Sequence, residues 1–188
     1  MPATDPRVPD RAPPEEVVRA AFHDLHGRRL HAFGLLLTLG DRAATTSLVG
    51  EAIAAGVERA ELLRHPERAA AWLRARIMRN ASRMGVRRHR VGEDRAVLAD
   101  LGVEAPVVAG LSALDPRERA SIIASAIERL DTRDVATIVD REGHALEKLQ
   151  LRARARYAAA YESAATDDLP LDGPLATRLH EIASRAMA

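Results

Sequence analysis

The sequence predicts an all-α protein made of two small helical domains joined by a linker, and three observations carry that expectation. Apolar residues recur at helical spacing along most of the 188 residues, and no run alternates apolar and polar residues for long enough to argue a strand. Proline and glycine fall at the joints between those periodic runs. Apolar residues make up 47% of the chain, enough to build cores, while aromatics are only 3%, so the cores must be aliphatic.

Residues 1–14, MPATDPRVPDRAPP, are rich in proline and charge and read as a disordered leader. A first helix is expected from Glu15 through Thr38 with Val18, Phe22, Leu25, Leu30, Phe33 and Leu37 inward. Gly40 and Asp41 form a turn, a second helix runs from about Arg42 to Leu62, and Pro66 opens a third in the first-turn position where proline is tolerated. The first unit ends near residue 90. Residues 91–110, VGEDRAVLADLGVEAPVVAG, lose the periodicity and read as a linker with apolar patches. A second unit spans 111–161. Asp115 and Pro116 start a helix through Ile127, a short one covers Thr132 to Val139, and a longer one runs from Glu142 to about Tyr161. The four residues Asp140 to Gly143 suit a helix-turn-helix corner. An extension over 162–188 breaks at LeuProLeuAspGlyPro and ends in a short C-terminal helix, Pro174 to Met187, with Leu175, Leu179, Ile182 and Ala186 on one side.

Charge gives the first functional clue. The formal net charge is only +1, yet Ala70 to Arg90, AAWLRARIMRNASRMGVRRHR, holds seven arginines and no acid. Arg76, Arg79, Arg83, Arg87 and Arg90 fall within one narrow arc of a helix, next to an apolar arc of Leu73, Ile77, Ala81 and Met84. An acid-free stripe has no intrahelical ion pairs to make, and its natural complement is a polyanion. Sixteen basic and ten acidic residues lie in 1–92, twelve and seventeen in 93–188, which leaves the halves at +6 and −5. That asymmetry suggests that the first half meets an anion while the second does something else or does the same less strongly.

Other chemistry finds little support. There is no cysteine, which excludes disulfides and thiolate metal sites and makes a reducing, cytoplasmic setting the expectation. No apolar run approaches the length of a membrane span, and no membrane partner is expected. His23, His26 and His31 are spread too widely around one helix for a closed metal site, and Asp167 and Asp168 have no basic or histidine partner nearby in sequence. Phosphate-loop, HExxH, GxGxxG and nucleophile-elbow motifs are absent, so neither an enzyme nor a cofactor is expected.

The order of short motifs resembles a small sigma factor of the sigma-70 family, in the extracytoplasmic-function group. In the first unit the similarity rests on GlyAspArgAlaAla at 40–44, LeuVal at 48–49, Pro66, AlaTrpLeu at 71–73, Ile77, Asn80 and ArgArgHisArg at 87–90, which match the sigma-2 region. In the second it rests on LeuSerAlaLeuAspProArgGluArg at 111–119, AspValAla at 134–136 and ArgAlaArg at 152–154, which match the sigma-4 region. The resemblance implies a sigma-2-like helical bundle over 15–90 and a sigma-4-like helix-turn-helix over 111–161. It further implies core RNA polymerase and promoter DNA as partners, with an anti-sigma factor or other regulatory protein as a further one. The implied DNA-binding residues are Arg76, Arg79, Asn80, Arg83, Arg87, Arg88 and Arg90 in the first unit and His144, Lys148 and Arg152 in the second; Ser47, Leu48, Gly50 and Glu51 stand at the implied polymerase-binding face. Two roles are open to Asn80, a hydrogen bond to a base edge or packing, and two to Trp72, stacking on a base or core.

The sequence departs from that pattern in two places. Relatives usually carry an acidic residue and then Leu-Val-Gln-Glu where this chain has SerLeuValGlyGlu, Ser47 to Glu51. Asp140 and Arg141 replace a turn glycine and an apolar residue, and Glu142 and Glu147 bring carboxylates to the start of the expected recognition helix, where phosphate repels them. These departures motivate two alternative expectations: a sigma-like fold kept as a non-initiating regulator or adaptor, and a stand-alone DNA-binding repressor.

Overall fold

The computed structural model describes residues 14–63, 65–84 and 94–165. Among them every regular element is helical: α1 (Glu15–Thr38), α2 (Arg42–Val57), α3 (Pro66–Arg83), α4 (Asp94–Asp100), α5 (Ala105–Ser112), α6 (Pro116–Ile122), a π-helical turn (Ile123–Ile127), α7 (Thr132–Val139) and α8 (Gly143–Ala164). The expected C-terminal helix, most of the leader, and Arg87, Arg88 and Arg90 of the arginine-rich run lie outside the described residues.

Local chemistry explains most boundaries. Glu15 and Glu16 occupy the first turn of α1, where the helix dipole favours acids, and the helix stops where Leu39 turns left-handed (φ 60°) and the Gly40 amide reaches back to the Leu35 carbonyl. Asp41 then caps α2 by accepting from the Ala44 amide at 2.8 Å. α6 begins with a complete capping box, Asp115 accepting from the Glu118 amide and Glu118 from the Asp115 amide, and Asp131 caps α7. Asp140 (φ 54°) and Gly143 (φ 51°) make the corner between α7 and α8. Aspartate tolerates that left-handed geometry, so the corner forms without a glycine at 140.

Three expectations change. The second helix ends at Val57 rather than Leu62, and residues 58–63 continue as turns with bonds such as Leu62 N–H to Arg59 O. The linker region 91–110 holds α4 and most of α5. The latter packs on α8, with Gly110 so close to Tyr157 that a Cβ there would meet the ring at 2.6 Å. Leu25, expected inward, is 60% exposed; the buried face of α1 instead steps through Phe22, His26, Leu30, Phe33 and Leu37, with His26 tilted against Phe22. Burial, then the charges of Arg74 and Arg29, lower the His26 pKa and favour its neutral ring.

The two halves pack on each other. α1, α2 and α3 form a bundle, and α7 and α6 lie against α3, so that one hydrophobic cluster runs from Leu30 through Leu73, Ile77 and Met78 to Ile123, Val135, Ile138 and Tyr157. Two arginines lock this packing. The Arg74 guanidinium makes a two-pronged ion pair with Glu128, both contacts 2.7 Å, with side chains only 4% and 9% exposed. Arg119 is fully buried and donates to the carbonyls of Leu37 at the end of α1, Leu111 in α5 and Leu114 before α6. Burial lowers its pKa to about 10, which still leaves it charged at neutral pH.

Candidate nucleic-acid interface

α3 is enclosed by its neighbours on most of its circumference, and what remains in contact with solvent is a narrow ridge. Arg68, Trp72, Arg76, Arg79 and Arg83 recur at steps of four, four, three and four, and they are half-buried or exposed while Ala69, Ala71, Leu73, Ala75, Ile77, Met78 and Ala81 are buried. The stripe is thus the solvent arc of a central helix. Trp72 is half-buried with the Arg59 guanidinium over its ring at 5.6 Å. The Arg76 Nε is buried with no hydrogen-bond partner among the described residues.

Not every residue expected on this face is there. Asn80 is 8% exposed and donates its amide to Glu51 Oε2 at 2.8 Å, which binds α3 to α2 and turns the side chain inward. Glu51 also accepts from the Ser47 hydroxyl at 3.2 Å. Leu48 is fully buried in the core and offers nothing to a partner. The outer face of α2 therefore presents Ser47, Gly50 and Glu51, with open space around Gly50.

Beside the C-terminal end of α3 the fold opens a groove of about 530 Å³, lined by Ser82 of α3, Asp115, Pro116 and Arg117 at the start of α6, and Arg141, Ala145, Lys148, Leu149 and Arg152 of the corner and α8. Four cations face one carboxylate there. Asp115 is occupied as the α6 cap. Arg152 is neutralised by the buried Glu118 at 2.6 Å, which also holds Arg156 at 2.8 Å, so its task is to fix α8 on α6. Lys148 is exposed with no ion pair among the described residues, and Arg141 donates only to the Asp140 carbonyl. His144 is 91% exposed beside Glu147 at 3.5 Å, a pair that solvent leaves weak.

The sequence-expected residues thus divide. Arg79 and Arg83 lie on the solvent arc of α3 and Lys148 lines the groove; Asn80 and Leu48 are buried; Arg152 serves as a brace. Sequence reasoning missed Arg117 as a groove residue, and it met Arg141 only as a departure from a motif. Comparison with known families, characterised proteins and solved structures returns no match. Among the described residues no three histidine or acidic side chains gather to hold a metal ion, and no helix is long and apolar enough to cross a membrane.

Proposed function

We propose that this chain is a divergent sigma-like transcription protein that binds DNA phosphates with the exposed ridge of α3 and the basic groove beside it, and that directs core RNA polymerase to promoters. The observation that carries the reading is the gathering of Arg117, Arg141 and Lys148 in one groove beside Ser82, at the end of the α3 helix whose solvent arc carries Arg76, Arg79 and Arg83. Phosphates complement such a surface, and each neutralised contact releases counterions. The order of elements, with a basic third helix and a capped helix-turn-helix at α7 and α8, supports the sigma-like part.

The test is binding of the purified chain to duplex DNA by fluorescence anisotropy across a salt series. Five unneutralised cations, Arg79, Arg83, Arg117, Arg141 and Lys148, correspond to a log-log salt slope of about −4.5. Reversing Arg83, Arg141 and Lys148 to glutamate together is expected to abolish binding while leaving the helical circular dichroism intact; unchanged binding would refute the assignment of this surface.

A second reading, a non-initiating regulator of sigma-like ancestry, is favoured by one observation. The implied polymerase face on α2 lacks its leucine, because Leu48 is core, and its Glu51 is engaged by Ser47 and Asn80. Competition with a principal sigma factor for core polymerase separates the two readings: displacement supports the initiator, and no binding supports the regulator.

A further inference from the structure

The groove beside α3 gathers cations from three separate stretches of chain around a hollow. Arg117 comes from the start of α6, Arg141 from the corner between α7 and α8, and Lys148 from α8, while Ser82 of α3 forms a neutral wall, its hydroxyl donating to the Met78 carbonyl. None of the three cations has an ion pair among the described residues. Arg141 donates only to the Asp140 carbonyl, Lys148 stands exposed, and the Arg117 Nε is buried with no hydrogen-bond partner among the described residues. Nearby acids do not cancel them. Glu118 is shared between Arg152 and Arg156, which leaves that trio with one positive charge over, and Asp115 is the single carboxylate in the lining. The three free cations and that surplus, set against Asp115, leave a net charge of +3.

We infer that this groove is a binding site for a small ligand that bears a polyphosphate group, a chemistry shared by inorganic polyphosphates and nucleoside triphosphates. Size and shape point to a small ligand. The volume of about 530 Å³ lies within the roughly 300–1,000 Å³ of small-molecule clefts, and the lining sets a few charged groups among the apolar Pro116, Ala145 and Leu149. Duplex phosphates lie on a convex rod and reach a hollow only at its rim, whereas a compact anion enters it, where cations from three stretches of chain meet. One phosphate monoester carries about −1.5 to −2 at neutral pH, short of the surplus in the groove, so two or more linked phosphates complement it better. The site does not depend on the DNA-binding reading, because its ligand need not be nucleic acid.

Isothermal titration calorimetry of the full chain in magnesium-free buffer at fixed ionic strength, with tripolyphosphate, ATP and orthophosphate as separate titrants, tests the site. Saturable one-to-one binding of tripolyphosphate or ATP, with orthophosphate about tenfold weaker or more, supports it; equal affinity of the first two assigns recognition to the phosphates alone, and tighter ATP assigns a share to the nucleoside. Arg141→Gln and Lys148→Gln, both at exposed positions, are each expected to weaken binding about tenfold, the worth of one hydrogen bond to a charged group. Arg154→Gln, exposed on α8 but outside the groove lining, is expected to leave it unchanged. No saturable binding, equal affinity for orthophosphate, or the same loss from Arg154→Gln as from the groove variants overturns the site. Anisotropy with duplex DNA on the same sample keeps the two readings apart: DNA bound without polyphosphate overturns the site and leaves the DNA-binding reading in place, and polyphosphate bound without DNA does the reverse.

Discussion

Replacing Arg74 with methionine is the perturbation that bears most directly on how the halves are joined. The substitution keeps much of the side-chain volume on α3 but removes both donors to Glu128 and the cation lying 5.9 Å from the Phe33 ring. Glu128 would then be a buried carboxylate without a partner. A surface ion pair is worth about 0 to 1 kcal/mol, but with side chains 4% and 9% exposed the buried case applies, in which removing one partner costs about 3–5 kcal/mol. Against a total stability of about 5–15 kcal/mol, that is a large share. In urea unfolding followed by circular dichroism, a slope of about 2 kcal/mol per molar converts the loss into a midpoint lower by about 1.5–2.5 M. The double substitution Arg74→Met with Glu128→Met removes the stranded charge and is expected to recover most of the loss, since a buried pair exchanged for apolar side chains is often near neutral. A midpoint shift below about 0.5 M for the single variant, or a double variant as unstable as the single, would refute a desolvated pair holding α3 to the π-helical turn.

Other substitutions follow from the packing. Gly50 sits mid-helix in α2 with open space where a Cβ would go, so Gly50→Ala is expected to stabilise by about 0.5–1 kcal/mol, whereas Gly110→Ala drives a methyl into the Tyr157 ring and is expected to destabilise by about 1–3 kcal/mol; thermal melts of the two variants should move in opposite directions. Arg119→Met removes the guanidinium that three carbonyls share, Leu111 alone keeping a backbone donor in Leu114 N–H, and is expected to cost about 3 kcal/mol in the same urea assay. Burial, and secondarily the neighbouring Tyr161 and Glu104, raise the Tyr157 pKa, so the folded chain keeps a phenol proton that the unfolded chain releases at its ordinary value near 10. Stability is therefore expected to fall as pH rises through 10 and beyond. Arg119, whose folded pKa of about 10 lies below the ordinary guanidinium value, acts in the opposite sense above pH 10. Comparing the urea midpoints of wild type and Tyr157→Phe between pH 9 and 11 isolates the tyrosine, and equal pH dependence in the two would contradict a desolvated phenol.

Helix starts were the most legible part of this chain, because their signals are local. Glu15, Asp41, Pro66, the Asp115–Pro116 pair and Asp131 each mark a start through a cap, a dipole or a fixed φ, and the helices begin beside them. The arginine ridge was legible too, since a spacing of three and four places residues on one arc whatever surrounds them. What depended on distant partners was hidden. Arg74 reads as one more arginine in an acid-free run, and its partner Glu128 lies 54 residues away beyond a π-helical turn that nothing in the local sequence announces. His26 takes the inward position expected of Leu25 because the face of α1 follows four-residue steps from Phe22. The aperiodic stretch 91–110 conceals α5, whose run of Pro106, Val107 and Val108 has no polar face to mark a period because it is buried against α8. In the groove itself Lys148 could be chosen from sequence, while Arg117 becomes a groove residue only when α6 docks beside the end of α3.

Run-off transcription with core RNA polymerase from the same organism, using fragmented genomic DNA as template, tests promoter-directed initiation by this chain. A sigma-like initiator is expected to give discrete transcripts that depend on the chain and disappear when Arg83, Arg141 and Lys148 are reversed to glutamate. A folded, DNA-binding sample that yields no transcript above core polymerase alone would contradict it and leave the chain a DNA-binding regulator.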